Sequence, residues 1–346
     1  MQPRRTRSEV ERYHRRLKIS IAVRSIPLVT LTTLSMLCFP TGSTGVNSIP
    51  VWPYGTDPDK ASHAPNKPPD TSAKQLPGAS LKFTEAQIQS PFGPADWFPG
   101  DHPAMPDIVA SGRKPVIQAC AFCHFPNGKG KPENAGVSGL PVSYFVEQIH
   151  EFRDGQRKSA DSRKKNTALM GVFAKAMTDE EIHEAAEYFG SMKWTPWIKV
   201  VETAMVPETR TSAGMYIPVA GAGREKLGER IIEVPVDPGG TEELRNPRSG
   251  FIAYVPFGSI EKGKELVTNG GRRMIACSVC HGDDLKGLGA VPGIAGRSPS
   301  YMARQLYDMQ QGTRNGTWTE LMKPVVRNMN QEDLLDIAAY VSSLQP

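Results

Sequence analysis

Cysteine is scarce in this chain and unevenly placed. Of five cysteines in 346 residues, four fall in two tight clusters and the fifth, Cys38, lies in the N-terminal apolar segment. With the clusters committed elsewhere, no structural disulfide is available to hold the mature fold. Positive charge is lacking where a nucleic-acid binder would need it. The formal net charge is +5, yet residues 1–20 hold seven Lys or Arg against Glu9 and Glu11, and Arg24 brings that segment to +6. The remainder therefore sits near −1, which excludes a nucleic-acid role resting on a broad cationic face. Long hydrophobic runs are missing too: Ser25 to Phe39 is fifteen residues, bounded by Arg24, short of the roughly 20 that a spanning helix needs.

What is present is organised around the cysteines. Cys120-Ala121-Phe122-Cys123-His124 and Cys277-Ser278-Val279-Cys280-His281 are two copies of Cys-x-x-Cys-His, the pattern of c-type haem attachment. Two residues between the thiols let both sulfurs reach the vinyl-derived carbons of one porphyrin, and the following His turns its imidazole to the iron. One copy could be chance, a zinc half-site or a thiol redox pair. A second copy with its His retained, and no further Cys nearby to complete a four-ligand zinc site, favours haem. The expected cofactors are two covalently bound haem c groups, on Cys120 and Cys123 and on Cys277 and Cys280, with His124 and His281 as iron ligands.

Apolar residues make up 39% of the chain, with 30 Pro and 32 Gly. That describes loop-rich domains with thin cores, which covalently held haem would fill out. Haem is attached outside the cytoplasm in bacteria, so export is expected. The basic residues 1–20, the apolar run and the small residues Pro40 to Gly45 read as a secretory signal and a periplasmic protein. The competing reading is an uncleaved anchor that gives membrane contact. The domain plan is a signal at 1–45, a Pro-rich extended arm at 46–95, a first domain at 96–195, a connector at 196–256 and a second domain at 257–346. The arm, with Ala64-Pro65-Asn66-Lys67-Pro68-Pro69-Asp70, cannot bury enough apolar surface to fold alone. Pro91 to Gly100 carries aromatics that either pack on the first domain or form an irregular loop.

The two domains repeat one another. After His124 comes an amphipathic helical pattern from Val142 to Phe152, stopping at Gly155; after His281 the same pattern runs from Pro299 to Met309 and stops at Gly312. Tyr144 matches Tyr301, Gln148 matches Gln305 and Arg157 matches Arg314, in one ungapped register with the motifs. The sixth iron ligand can thus be sought twice. Each repeat offers two Met residues, Met170 and Met177 in the first, Met322 and Met329 in the second. Thr178 and Glu181 form a capping box with Met177 stapled to Ile182, and Asn330, Met329 and Leu334 repeat the staple. Met170 and Met322 have no such structural role. They lie before the capped helix, 46 and 41 residues after their His, and are the favoured axial ligands. His150 and His183 read as ordinary surface or core-edge histidines on helices, and His63 and His102 as solvated loop residues. No His follows His281.

With these residues in place the chain resembles the di-haem class I cytochromes c and is similar to the cytochrome c4 group. The likeness rests on the two motifs, on Val291-Pro292-Gly293-Ile294-Ala295-Gly296-Arg297 before a Tyr-and-Gln helix, and on a late Met before a capped helix ending in Ala338-Ala339-Tyr340. The fold class it implies is mainly α, two tandem class I cytochrome c domains joined by a long irregular or strand-containing connector. It also implies electron transfer without catalysis, and a Pro292 carbonyl that holds the Nδ1 proton of His281. The first block departs here: the aligned position is Ala135 and Pro132 is displaced, which leaves that contact open for His124. Arg157 and Arg314 pair with haem propionates or stand as solvated helix-end charges. The connector departs as well. Its runs Glu229 to Val236 and Phe251 to Pro256, separated by an Asp237-Pro238-Gly239-Gly240 turn signal, read as a strap across both domains or a docking surface for a partner.

Function follows from the ligands. Iron held by His and Met has no open position, and the thioether raises its potential. The expected role is a periplasmic di-haem carrier between a donor dehydrogenase or respiratory complex and an acceptor cytochrome or oxidase. The alternatives are a di-haem peroxidase, which needs one open iron, and a membrane-tethered cytochrome subunit of a dehydrogenase.

Overall fold

The computed structural model describes residues 49–60 and 70–346. The expected signal at 1–45, with Cys38, and His63 in the arm lie outside the described residues.

Where composition predicts a tether, the described part of the arm is packed. A 3-10 turn at Trp52–Tyr54, its φ fixed by Pro53, buries Trp52 and Tyr54 in the core of the second domain. Tyr54 Oη donates to Asp308 Oδ1 at 2.9 Å. Farther on, α1 (Glu85–Ile88) opens on a Thr84 capping box, and Leu76, Ile88, Trp97 and Phe98 close a small core against Leu244 of the connector. The Trp97 indole N–H donates to the Leu244 carbonyl at 2.7 Å, so Trp97 and Phe98 seat on the connector, while Phe92 lies beside Lys114 and the Pro91 carbonyl accepts from the Ala119 N–H at 2.9 Å, both in the first domain. Tyr54 and Trp97 find partners far along the chain, at Asp308 and Leu244, which local composition does not register.

The first domain comprises α2 (Asp107–Ala110), α3 (Cys120–His124), α4 (Val142–Arg153), α5 (Lys165–Ala176) and α6 (Asp179–Gly190). α4 buries Phe145, Ile149 and Phe152, one stripe at helical spacing, and the chain leaves it through Gly155 at φ +71°, a left-handed position that suits glycine. α6 is started by a reciprocal cap. Thr178 Oγ1 accepts from the Glu181 N–H at 3.2 Å, and Glu181 Oε2 accepts from the Thr178 N–H at 2.8 Å. Ile182, Ala185, Ala186 and Phe189 then face inward; burying a side chain such as Phe189 contributes about 1.5–3 kcal/mol.

The connector is richer in strands than its sequence suggests. β1 (Ile198–Glu202), β2 (Met205–Pro207), β3 (Thr209–Ser212), β4 (Met215–Pro218), β5 (Arg224–Lys226), β6 (Ile232–Pro235) and β7 (Phe251–Val255) lie in this order. The expected turn at Asp237 is a short helix, α7 (Pro238–Glu242), capped where Asp237 Oδ1 accepts from the Gly240 N–H at 2.9 Å. β7 runs between β1, to which it is parallel, and β6, to which it is antiparallel. Its alternate residues Phe251, Ala253 and Val255 are buried. Ala253 and Val255 join the second domain's core, whereas Phe251 packs with Trp197, Met215, Ile217 and Phe125 of the first. β3 and β4 form a hairpin turned by Ala213 and Gly214, both at positive φ.

The second domain holds α8 (Ser259–Asn269), α9 (Ser278–His281), the short hairpin β8 (Gly287–Leu288) and β9 (Val291–Pro292), then α10 (Pro299–Gln310), α11 (Thr319–Val326) and α12 (Gln331–Ser343). α12 repeats the capping box: Asn330 Oδ1 accepts from the Asp333 N–H, and Asp333 Oδ2 from the Asn330 N–H, both at 2.8 Å. It approaches α8 so closely that a Cβ added at Gly263 would lie 1.9 Å from the Asp336 carbonyl oxygen. The two domains meet where α4 and α10 end. Arg157 and Arg314 form an antiparallel bridge, flanked by Lys158 N–H to Thr313 O at 2.8 Å and Asn315 N–H to Gln156 O at 2.7 Å. Among the described residues no helix is long and apolar enough to cross a membrane.

Candidate functional site

Each Cys-x-x-Cys-His motif folds as a short helix that brings its His beneath a loop carbonyl. His281 Nδ1 lies 2.8 Å from the Pro292 carbonyl oxygen, and His124 Nδ1 lies 2.8 Å from that of Ala135. The contact left open for the first repeat is therefore made, because it uses a backbone oxygen and needs no proline. A carbonyl only accepts, so Nδ1 carries the proton and Nε2 keeps its lone pair for a metal. Burial holds both imidazoles below the ordinary His value, and a ligating His must be neutral. Burial also pushes the Cys120 thiol up to about 12 and the Cys277 thiol up to about 11. A thiol redox pair works through a lowered value, which neither of these two thiols has.

A cavity of about 650 Å³ opens beside α3, within the range of cofactor pockets. Cys120, Cys123 and His124 line it together with Ile117, Phe145, Phe173 and Phe189, and with Arg157, Lys164 and Arg304. An apolar body with cations in its lining fits haem, a flat apolar ring bearing two carboxylates. Lys164 is buried there, its ammonium held down to about 7 by burial and by Arg304 although Glu133 and Asp161 act to raise it.

Met170 and Met177 both line this cavity. Met170 lies within α5 and Met322 within α11, helices that the sequence does not announce. Met177 and Met329 are buried in the two cores with Ile182 and Leu334, whereas Met170 and Met322 are only partly buried and pack at the core edges.

The arginines stand otherwise than as solvated charges. Arg157 donates to Gln148 Oε1 at 2.8 Å, Tyr301 Oη at 2.9 Å and Gln305 Oε1 at 3.0 Å. Arg314 donates to Tyr144 Oη at 2.9 Å, Gln148 Oε1 at 2.6 Å and Gln305 Oε1 at 3.1 Å. The matched residues of the two repeats thus knit the domains together crosswise, with Arg157 also reaching the cavity. His102 is likewise not solvated: its side chain is 4% exposed and its Nε2 lies 3.2 Å from Asp96 Oδ2. His150 and His183 both sit by Asp179 on the helix surface.

Sequence reasoning missed the far wall of the cavity. Ser212 to Met215 of the β3–β4 hairpin, Glu242, Arg245 and Tyr54 to Thr56 of the arm all line it. The Arg245 guanidinium lies 4.2 Å from the centre of the Phe122 ring, inside the first motif. No periodic signal marks these residues, since they sit in turns and at element ends.

A cytochrome c family model matches residues 109–193 and 260–345. A cytochrome c-552 of Acidithiobacillus ferridurans is 36% identical over 231 residues, covering 66% of this chain and 75% of that one. The chain belongs to the cytochrome c family. A thiosulfate dehydrogenase electron acceptor of Stutzerimonas stutzeri is 24% identical over 239 residues, 67% of this cytochrome and 82% of its own length. The solved cytochrome c4 of Acidithiobacillus ferrooxidans is similar with a TM-score of 0.42 at 22% identity, over 65% of this cytochrome and 98% of that chain. With two such domains the cytochrome carries two covalently bound haem c groups, and its family works in electron transfer.

Proposed function

We propose that this cytochrome is an exported, periplasmic two-centre electron relay. Cys120 and Cys123 would attach one haem and Cys277 and Cys280 the other, with His124 and Met170, and His281 and Met322, as the side chains that would hold the two irons. The reading rests above all on the paired carbonyl contacts, Ala135 on His124 and Pro292 on His281, both at 2.8 Å, because each leaves one oriented Nε2 lone pair. Bound haem supplies a one-electron couple. The chain's own work is to fix the imidazole, present a thioether, keep water from the apolar lining and set carboxylate-binding cations at the domain junction. A thioether at the same place in both repeats leaves no open iron for a peroxidase, so the relay reading is favoured over a catalytic one. The donor is an oxidising enzyme of the periplasm, a class that includes the dehydrogenase served by the Stutzerimonas stutzeri relative, and the acceptor is a downstream cytochrome or oxidase. Electron paramagnetic resonance of the oxidised holoprotein is the test: two low-spin centres and no peroxide turnover are expected, and a high-spin centre that consumes peroxide would sink the proposal.

A further inference from the structure

The two motifs share one register, so each position in the first can be compared with its counterpart in the second. Phe122 is half-buried beneath Arg245; its counterpart Val279 is 68% exposed. Cys123 is partly covered whereas Cys280 is exposed. Leu169, next to Met170, is 37% exposed, and Leu321, next to Met322, is 64% exposed. At Phe122 the cover, Arg245, comes from outside the repeats.

The first cavity is roofed by the connector and the arm, and the roof is fastened. The Asn127 side chain donates to the Pro247 carbonyl at 2.7 Å and Trp97 to that of Leu244 at 2.7 Å, which pins the segment carrying Arg245 from both sides. Arg210 Nη1 donates to Glu242 Oε1 at 2.8 Å, tying the hairpin to α7. The arm closes on the hairpin tip so tightly that a Cβ at Gly55 would lie 2.2 Å from the Gly214 oxygen. One further wall, Tyr301, Arg304, Gln305 and Asp308, belongs to the second domain.

We propose that the roof shields the Cys-x-x-Cys-His side of the first haem centre, so that electrons are exchanged with outside proteins mainly at the second centre and reach the first across the domain junction. This rests on the two-centre reading above. Bound haem would supply the one-electron couple at each centre, and an electron taken from a reduced donor protein would enter and leave for an oxidised acceptor protein through the domain held by Cys277, Cys280 and His281, with no bond made or broken. The first centre is then an inboard store, and the connector is what makes two similar domains unequal.

The test uses the oxidised holoprotein and a neutral gadolinium chelate as a solvent-borne relaxation probe. Haem-methyl proton resonances are assigned to their centres through the Met170→Ala and Met322→Ala variants. The methyls of the second haem should broaden several-fold more than those of the first, and Arg245→Ala should raise the broadening of the first. Equal broadening of both sets in the wild-type protein overturns the proposal, whether or not the variant folds. A first centre untouched by Arg245→Ala in a folded variant overturns the roof as its cause. Far-red absorption from the same sample reports Met ligation separately, so a failure of the two-centre reading is recognised as such.

Discussion

At the scale of single residues, the molecule buries ionisable groups where haem alone does not require them. Glu233 on β6 is 1% exposed; its Oε2 accepts from Ser298 Oγ at 2.8 Å, while Oε1 has no partner. Burial pushes its carboxyl up to about 7 in spite of these bonds and of Arg304. The folded form therefore keeps a proton that the unfolded chain loses at lower pH, and stability should fall as pH rises from the ordinary carboxyl range through about 7. Glu233→Gln should flatten that slope by on the order of 3 kcal/mol at most, as read by denaturant titration across pH, the remainder belonging to groups such as Asp336, whose carboxyl burial also pushes up to about 7. A slope unchanged in the variant would show that the carboxyl is charged when folded. Residue types made the attachment sites legible without a structure, because Cys-x-x-Cys-His carries its chemistry in its spacing. Arg157 and Arg314 were legible as a matched pair but not as each other's neighbours, since nothing local says that Tyr144 and Tyr301 lie across the junction.

At the scale of elements, caps and close approaches decide stability. Thr178→Ala removes one half of the reciprocal cap of α6 and should cost about 1 kcal/mol, visible as a lower midpoint in urea with an unchanged slope. Gly263→Ala is the harsher change, because the added methyl would strike the Asp336 carbonyl oxygen of α12 rather than a movable side chain. Overpacking of this kind costs about 1–3 kcal/mol and sometimes more, so calorimetry should show a clear fall in Tm for the apoprotein and the holoprotein alike. Helices α4, α6, α10 and α12 could be read from periodicity, stop glycines and capping boxes. α11 could not, because Pro324 interrupts it, and α5 hid because Phe173 and Ala174 are its only residues fully buried, too few to mark an apolar stripe. Met170 and Met322 thus lie on helices of their own rather than merely ahead of α6 and α12.

At the scale of the whole molecule, two repeated domains have been made unequal by what lies between and before them. The connector shares one core with the second domain through Ala253 and Val255 and another with the first through Phe251 and Phe125. This places the junction of Arg157 and Arg314 between two haem-binding domains that the connector also packs against. Tandem cytochrome domains were legible from the duplication; the packing of the arm was not, because Trp52 and Tyr54 find their partners some 250 residues away on α10. The account depends on a sulfur opposite each imidazole, and the far-red absorption band of the oxidised holoprotein reads that bond directly. Met170→Ala and Met322→Ala should each remove part of the band and the double variant all of it, with Met177→Ala and Met329→Ala leaving it intact. A band that survives in the double variant would contradict the assignment of both irons.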